Sequence, residues 1–211
     1  MPETDTRDRL IETAARLFHE QGYAATGVST ILREADVHSG SLYYFFASKE
    51  ELLGAVLDRY VDRLKPDMLS RAEAAASDPI ERVFALLSVY RMGLEMTACT
   101  MGCPIGNLAL ELGDAYPDLR RKVEKNFENW SAAVAAWLKQ GAARFPKHTD
   151  LDALAGFVLV VMEGGIMQAR ARKSLAPFDA AVRQLRDYFE RLEKSGERVA
   201  RKIEPRTKRR K

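Results

Sequence analysis

Apolar residues recur along this chain with the period of helices, and no stretch alternates as a half-buried strand does. Val28, Ile31, Leu32 and Ala35 fall at i, i+3, i+4 and i+7, which predicts a short helix for which Thr26 is a natural N-cap. The stripe stops at Asp36, a residue type that tolerates the left-handed conformation a tight turn needs. Val37 fills the angle, and Ser39, Gly40 and Ser41 open a second helix with small side chains. Such a start can approach a phosphate backbone and offer it N–H groups. Leu42 and Phe46, four apart, face inward, leaving Ser39, Gly40, Ser41, Tyr43 and Tyr44 on the outward and flanking faces. Upstream, Leu10, Ala14, Leu17 and Phe18 predict a supporting helix. Two short helices about a tight turn, the second polar and aromatic, have the form that enters a DNA major groove. The alternative is a plain bundle in which the Tyr-Tyr-Phe-Phe cluster is only core.

Helical patterning continues to the end of the chain. Helix four runs from Lys49 to about Leu64, and after Pro66 the spacing predicts helices near 79–98, 104–112, 117–143, 150–172 and 178–194. Asp78, Pro79 and Glu81 form the expected start of the first of these, and Pro177 lies in the last link. The expected fold is therefore all-α, with about nine helices. A three-helix helix-turn-helix domain over 1–50 precedes a larger helical domain over 51–196 and a basic tail over 197–211. Leu154, Val158, Val161, Gly165 and Phe189 offer more apolar and small surface than one small domain needs, and Gly164-Gly165 would permit close helix crossing; a core-only role is the alternative.

With 211 residues, 46% of them hydrophobic, the chain can bury a substantial core, and no apolar run reads as a membrane span. Residues 1–9 are charged and polar, unlike a signal peptide, and the two cysteines suit a reducing cytosol, so a cytoplasmic protein with no membrane partner is expected. The net charge of +3 misleads, because residues 198–211 carry eight Lys or Arg against Glu204 alone and leave the remainder near −4. Overall charge thus gives no argument for nucleic acid. The tail reads as a mobile extension, or as extra phosphate affinity.

The N-terminal segment resembles the TetR family of bacterial transcriptional regulators, through Ile11, Ala14, Leu17, Phe18, Gly22-Tyr23, Thr26, Ile31 and Val37 to Phe46. Leu42-Tyr43-Tyr44-Phe45-Phe46 echoes that family's Leu-Tyr-Tyr-His-Phe, and Lys49, Leu52 and Leu53 extend the match. Asp36, Ser39 and Phe45 depart from the residues common there: glycine, a basic residue and histidine. The resemblance implies a double-stranded DNA operator contacted by Thr26, Ser39, Gly40, Ser41, Tyr43, Tyr44 and Lys49. It also implies a homodimer paired through about residues 150–194 and a small-molecule effector, with no cofactor. A Ser48–Glu51 capping box would place Lys49 in a first helical turn, where anions are favoured.

Gly102-Cys103-Pro104-Ile105-Gly106-Asn107-Leu108 resembles the Gly-Cys-x-x-x-Asn-Leu stretch of one TetR branch, some members of which sense electrophiles or oxidants. Pro104 suits a first helical position, so Cys103 would sit at an N-cap, where a helix terminus lowers thiol pKa. Packing as a small hydrophobe is the alternative, and Cys99–Cys103 pairing another. A non-covalent effector would be lined by Phe84, Tyr90, Cys103, Asn107, Phe127, Trp130, Met162 and Glu163, each of which could equally be core. Glu163 is out of place among Val160, Val161, Met162 and Gly164: at an exposed edge it needs nothing, but buried it needs a partner, for which a cationic ligand is one candidate. His19, His38 and His148 are scattered, so neither a zinc site nor a Cys103 nucleophile with an oriented base is expected, and the chain does not read as an enzyme. A non-specific architectural DNA binder is the remote rival.

Overall fold

The computed structural model describes residues 3–113 and 116–203. Among them every regular element is helical: α1 Glu3–Gln21, α2 Val28–Ala35, α3 Ser39–Phe45, α4 Lys49–Arg63, α5 Ser70–Ala75, α6 Pro79–Met96, α7 Pro104–Leu112, α8 Pro117–Gln140, α9 Leu151–Arg172 and α10 Ala176–Ile203. α4 and α5 are one rod, joined without a break by a π-helical turn over Leu64–Leu69, so the ten segments make nine helices. Pro66 lies in that turn. Its ring has no N–H to donate to the carbonyl four residues back and would collide with it, and the wider turn gives the ring room. The chain therefore runs through a proline at which the sequence pattern stops helix four.

Local signals decide most helix ends. Asp78 accepts from the N–H groups of Ile80 and Glu81, and Asp150 from those of Asp152 and Ala153. Ser48 caps α4 by accepting from Glu51 N, while Glu51 Oε2 reaches back to Ala47 N rather than to Ser48. Asp36 adopts φ 52° and ψ 54°, the left-handed turn its side chain tolerates. Lys173 ends α9 in the same conformation. Three expected boundaries move. α8 stops at Gln140 and gives way to a short 3-10 turn, Pro177 is the second residue of α10 rather than part of a link, and α10 continues to Ile203. The tail beyond residue 203 lies outside the described residues.

The inward stripes meet as one cluster. Leu10, Ala14, Leu17 and Phe18 of α1 pack with Ile31, Ala35, Leu42 and Phe46, and the cluster continues through Leu53, Val56 and Leu57 into the core of α6, α8 and α9. Thr26 corrects an expectation: it neither caps α2 nor faces outward. It is fully buried, its hydroxyl donating to the carbonyls of Gly22 and Leu17, and Gly27 takes the N-cap position. α9 also corrects one, since by length and composition it is apolar enough to cross a bilayer. Part of its apolar surface packs against α8, α10 and α6, and Phe157, Val160 and Met167 remain exposed. At Gly165 α10 comes so close that a Cβ would meet the ring of Phe178 at 3.0 Å.

The turn at Asp36 yields a stability test. Asp36→Val should cost about 1–2 kcal/mol, because a β-branched residue resists φ near 52°. Asp36→Gly should leave the midpoint of urea unfolding nearly unchanged.

Candidate DNA-binding surface and effector cavity

α3 is held from behind by Leu42 and Phe46, both buried, and the Arg7 guanidinium lies 5.2 Å from the Phe46 ring centre. Its outer side carries Tyr43 and Tyr44, 62% and 69% exposed, with Gly40 exposed and Ser41 half-buried beside them. A Cβ on Gly40 would touch nothing within 4 Å, so the fold itself does not require glycine there. Ser39 begins this helix. Lys49 has a different setting from the phosphate contact that the resemblance implies. Its ammonium donates to the carbonyls of Tyr23 and Thr26 at 3.0 and 3.1 Å and lies 4.2 Å from the Tyr23 ring centre. With both Thr26 and Lys49 turned to internal partners, the exposed candidates among the described side chains are Gly40, Tyr43 and Tyr44.

A cavity of about 260 Å³ opens between the α4–α5 rod, α6, α7, α8 and α9. Tyr90, Cys103, Phe127, Trp130, Met162 and Glu163 all line it. Phe84 and Asn107 do not. Phe84 packs edge-on against Phe189 and lies under the Arg186 guanidinium, and Asn107 Oδ1 accepts from Arg170 on the far side of α7. The π turn supplies lining residues that the sequence reading missed: Leu64, Asp67 and Met68, with Tyr60 and Arg63 just before them. A proline inside an otherwise helical stretch was the available signal. Asn126 was also missed. It is a buried amide within the apolar stripe of α8, and its Nδ2 donates to the carbonyls of Leu57 and Lys122. Trp130 Nε1 donates to the Tyr90 hydroxyl at 3.0 Å, fixing two of the aromatic walls to each other.

Cys103 occupies the N-cap of α7, as its position before Pro104 predicts, and its Sγ accepts from Gly106 N at 3.4 Å. The expected thiolate does not follow. Burial, and then the neighbouring Glu163 carboxylate, push the thiol pKa up, outweighing the help of the helix terminus. Cys99 is likewise buried, and both cysteines are free. The Cys103 thiol neighbours Glu163, which lies against Gly106 so closely that a Cβ there would collide with its Oε2. The other oxygen, Oε1, is buried without a hydrogen-bond partner.

The cavity borders elements that also hold the N-terminal helices. On one side, Arg59 pairs with Asp8 and Glu12 of α1, and Arg63, at the cavity wall, also reaches Glu12. On the other, the backbone just before α7 and the C-terminal end of that helix grip α1 and the loop after it. His19 shares a 2.6 Å hydrogen bond with the Gly102 carbonyl, and Glu111 Oε2 accepts from Ala24 N at 3.1 Å.

Comparison with known proteins agrees with this architecture. Residues 10–56 match the model described as bacterial regulatory proteins, tetR family, and residues 79–184 match the C-terminal domain of LmrA/YxaF-like transcriptional regulators. The repressor DhaR of a Mycobacterium species is 30% identical over 85% of this chain and 89% of its own. The uncharacterized regulator YxaF of Bacillus subtilis is 29% identical over 86% and 93%. A TetR transcriptional regulator from Chloroflexus aurantiacus superposes with a TM-score of 0.77 at 29% identity, covering 89% of this chain and 96% of that one.

The His19 contact predicts a pH effect. Burial is the largest influence on its imidazole and holds its pKa below the ordinary 6.5, with Arg170 acting the same way and the Gly102 carbonyl and Glu20 opposing. The unfolded chain then binds more protons than the native one as pH falls through 6.5, so stability should decline there. His19→Gln, followed by chemical denaturation from pH 7.5 to 5.5, should flatten that decline. A chain whose two halves match these models over this fold belongs to the TetR family of bacterial transcriptional regulators.

Proposed function

We propose that this regulator is a cytoplasmic homodimeric repressor, released from a near-palindromic operator when a small, mainly apolar effector fills the cavity beside the π turn. The carrying observation is the α4–α5 rod, which faces the cavity through Tyr60, Leu64 and Met68 and grips α1 through Arg59 and Arg63. An effector acts only through its different affinity for the two arrangements of that rod, and couplings of about 1–3 kcal/mol are typical. In this reading residues 1–50 form the DNA-binding domain and 51–196 the effector and dimer domain. The branch reading rests on the resemblance of Gly102-Cys103 and Asn107-Leu108 to that branch's Gly-Cys-x-x-x-Asn-Leu stretch.

Support for the dimer comes from α9 and α10. Phe157, Val160, Val161, Gly164 and Met167 follow one another at helical spacing on α9, with Val160 68% and Met167 59% exposed. Tyr188 of α10 joins this stripe, its ring 5.7 Å from that of Phe157. A contiguous apolar face on two adjacent helices suits a two-fold partner, whose helix-turn-helix would read the second half-site.

Footprinting of the dimer on DNA upstream of its own gene should reveal two related half-sites about one helical turn apart or a multiple of it. Gly40→Val should leave thermal stability within a few degrees of wild type while weakening operator binding at least tenfold. Val160→Glu should give a monomer in sedimentation and lose cooperative operator binding. Uniform protection of any duplex, with no preferred site, contradicts the reading.

A further inference from the structure

The effector cavity contains one feature that a purely apolar molecule leaves unanswered. Glu163 presents a buried carboxylate whose Oε2 lies against Gly106 and whose Oε1 has no partner. Burial is the larger influence on this group and raises its pKa, with the neighbouring Cys103 thiol opposing. A carboxylate taken from water without compensation is strongly disfavoured, and a cation at Oε1 restores what burial removes.

The rest of the wall indicates what kind of cation. Tyr90, Phe127 and Trp130 supply aromatic rings, which attract positive charge as well as hydrocarbon. Arg63, the basic side chain at this cavity, already pairs with Glu12 and Asp67 and so is engaged where an anionic ligand would need it. The volume of about 260 Å³ is at the small end of ligand pockets and selects a compact molecule.

We propose that the effector is a compact lipophilic ammonium, a protonated amine whose N–H bonds Glu163 Oε1 and whose hydrocarbon body lies among Tyr60, Tyr90, Phe127 and Trp130. This rests on the reading of the cavity as the effector site. Glu163 is then the residue that sets specificity, distinguishing a cation from a neutral molecule of equal shape. Gly106 leaves room for its carboxylate, and Cys103 orients it.

The test uses two probes of nearly the same shape, dimethylbenzylammonium and its neutral carbon isostere isobutylbenzene, titrated calorimetrically into wild-type dimer and into Glu163→Gln. Wild type should bind the ammonium at least tenfold more tightly than the isostere, and Glu163→Gln should abolish that preference while binding isobutylbenzene as before. Equal affinities in wild type, no detectable ammonium binding, or a preference that persists in Glu163→Gln each overturns the proposal. The wild-type comparison stands even if the variant fails to fold. Operator affinity measured on the same samples separates the two claims: operator binding without ammonium preference removes the ligand class alone. Ammonium preference in a protein with no operator removes the repressor reading and leaves the cation site standing.

Discussion

The structure turns on Pro66. A proline inside a helix removes one hydrogen bond and presses its ring on the preceding turn, and chains ordinarily stop or kink there. Here the backbone widens into a π turn over Leu64–Leu69 instead, and a single rod continues from Lys49 to Ala75. Because that turn is also a wall of the cavity, the least regular part of the rod lies where an effector would press. The same rod carries Arg59 and Arg63, whose partners Asp8 and Glu12 belong to α1. One covalent peculiarity thus places a deformable point between the cavity and the helix that supports the recognition helix.

α7 forms the second connection. Its first turn packs against Glu163, its preceding carbonyl at Gly102 meets His19, and its last turn meets Ala24 through Glu111. Cys103 at its start carries no sign of a reactive thiolate. The helix terminus alone would favour one, but burial and an adjacent carboxylate oppose it more strongly. The thiol sits in that corner with its Sγ accepting from Gly106 N and the Glu163 carboxylate beside it.

The α-helical periodicity, the Asp36 turn and the cap at Asp78 were legible in the sequence because each is a local effect, settled within one or two helical turns. Six of the eight proposed cavity residues meet at the cavity, since they share the inward faces of helices whose period is easy to read. Phe84 and Asn107 share that inward character, yet which neighbour they face depends on helix packing that spacing does not encode. Thr26 was misplaced as a cap, and the internal partners of Lys49 went unread, for a related reason. Their residue types suit a cap and a phosphate, but the close approach of α1, the following loop and α4 gave both of them carbonyl partners inside the protein. Pro66 misled by its average behaviour, since a proline usually ends or kinks a helix and here the chain widens into a π turn instead.

In the proposed mechanism, occupancy of the cavity moves the α4–α5 rod and with it the recognition helices. Leu159→Trp tests it without any ligand, since Leu159 lines the cavity and an indole there fills it. Spin labels on Ser41→Cys in each protomer would report the distance between the two recognition helices by double electron–electron resonance, with circular dichroism verifying the fold. The filled variant should show a shifted inter-label distance together with weakened operator binding. A correctly folded Leu159→Trp dimer with the wild-type distance and the wild-type operator affinity would contradict it.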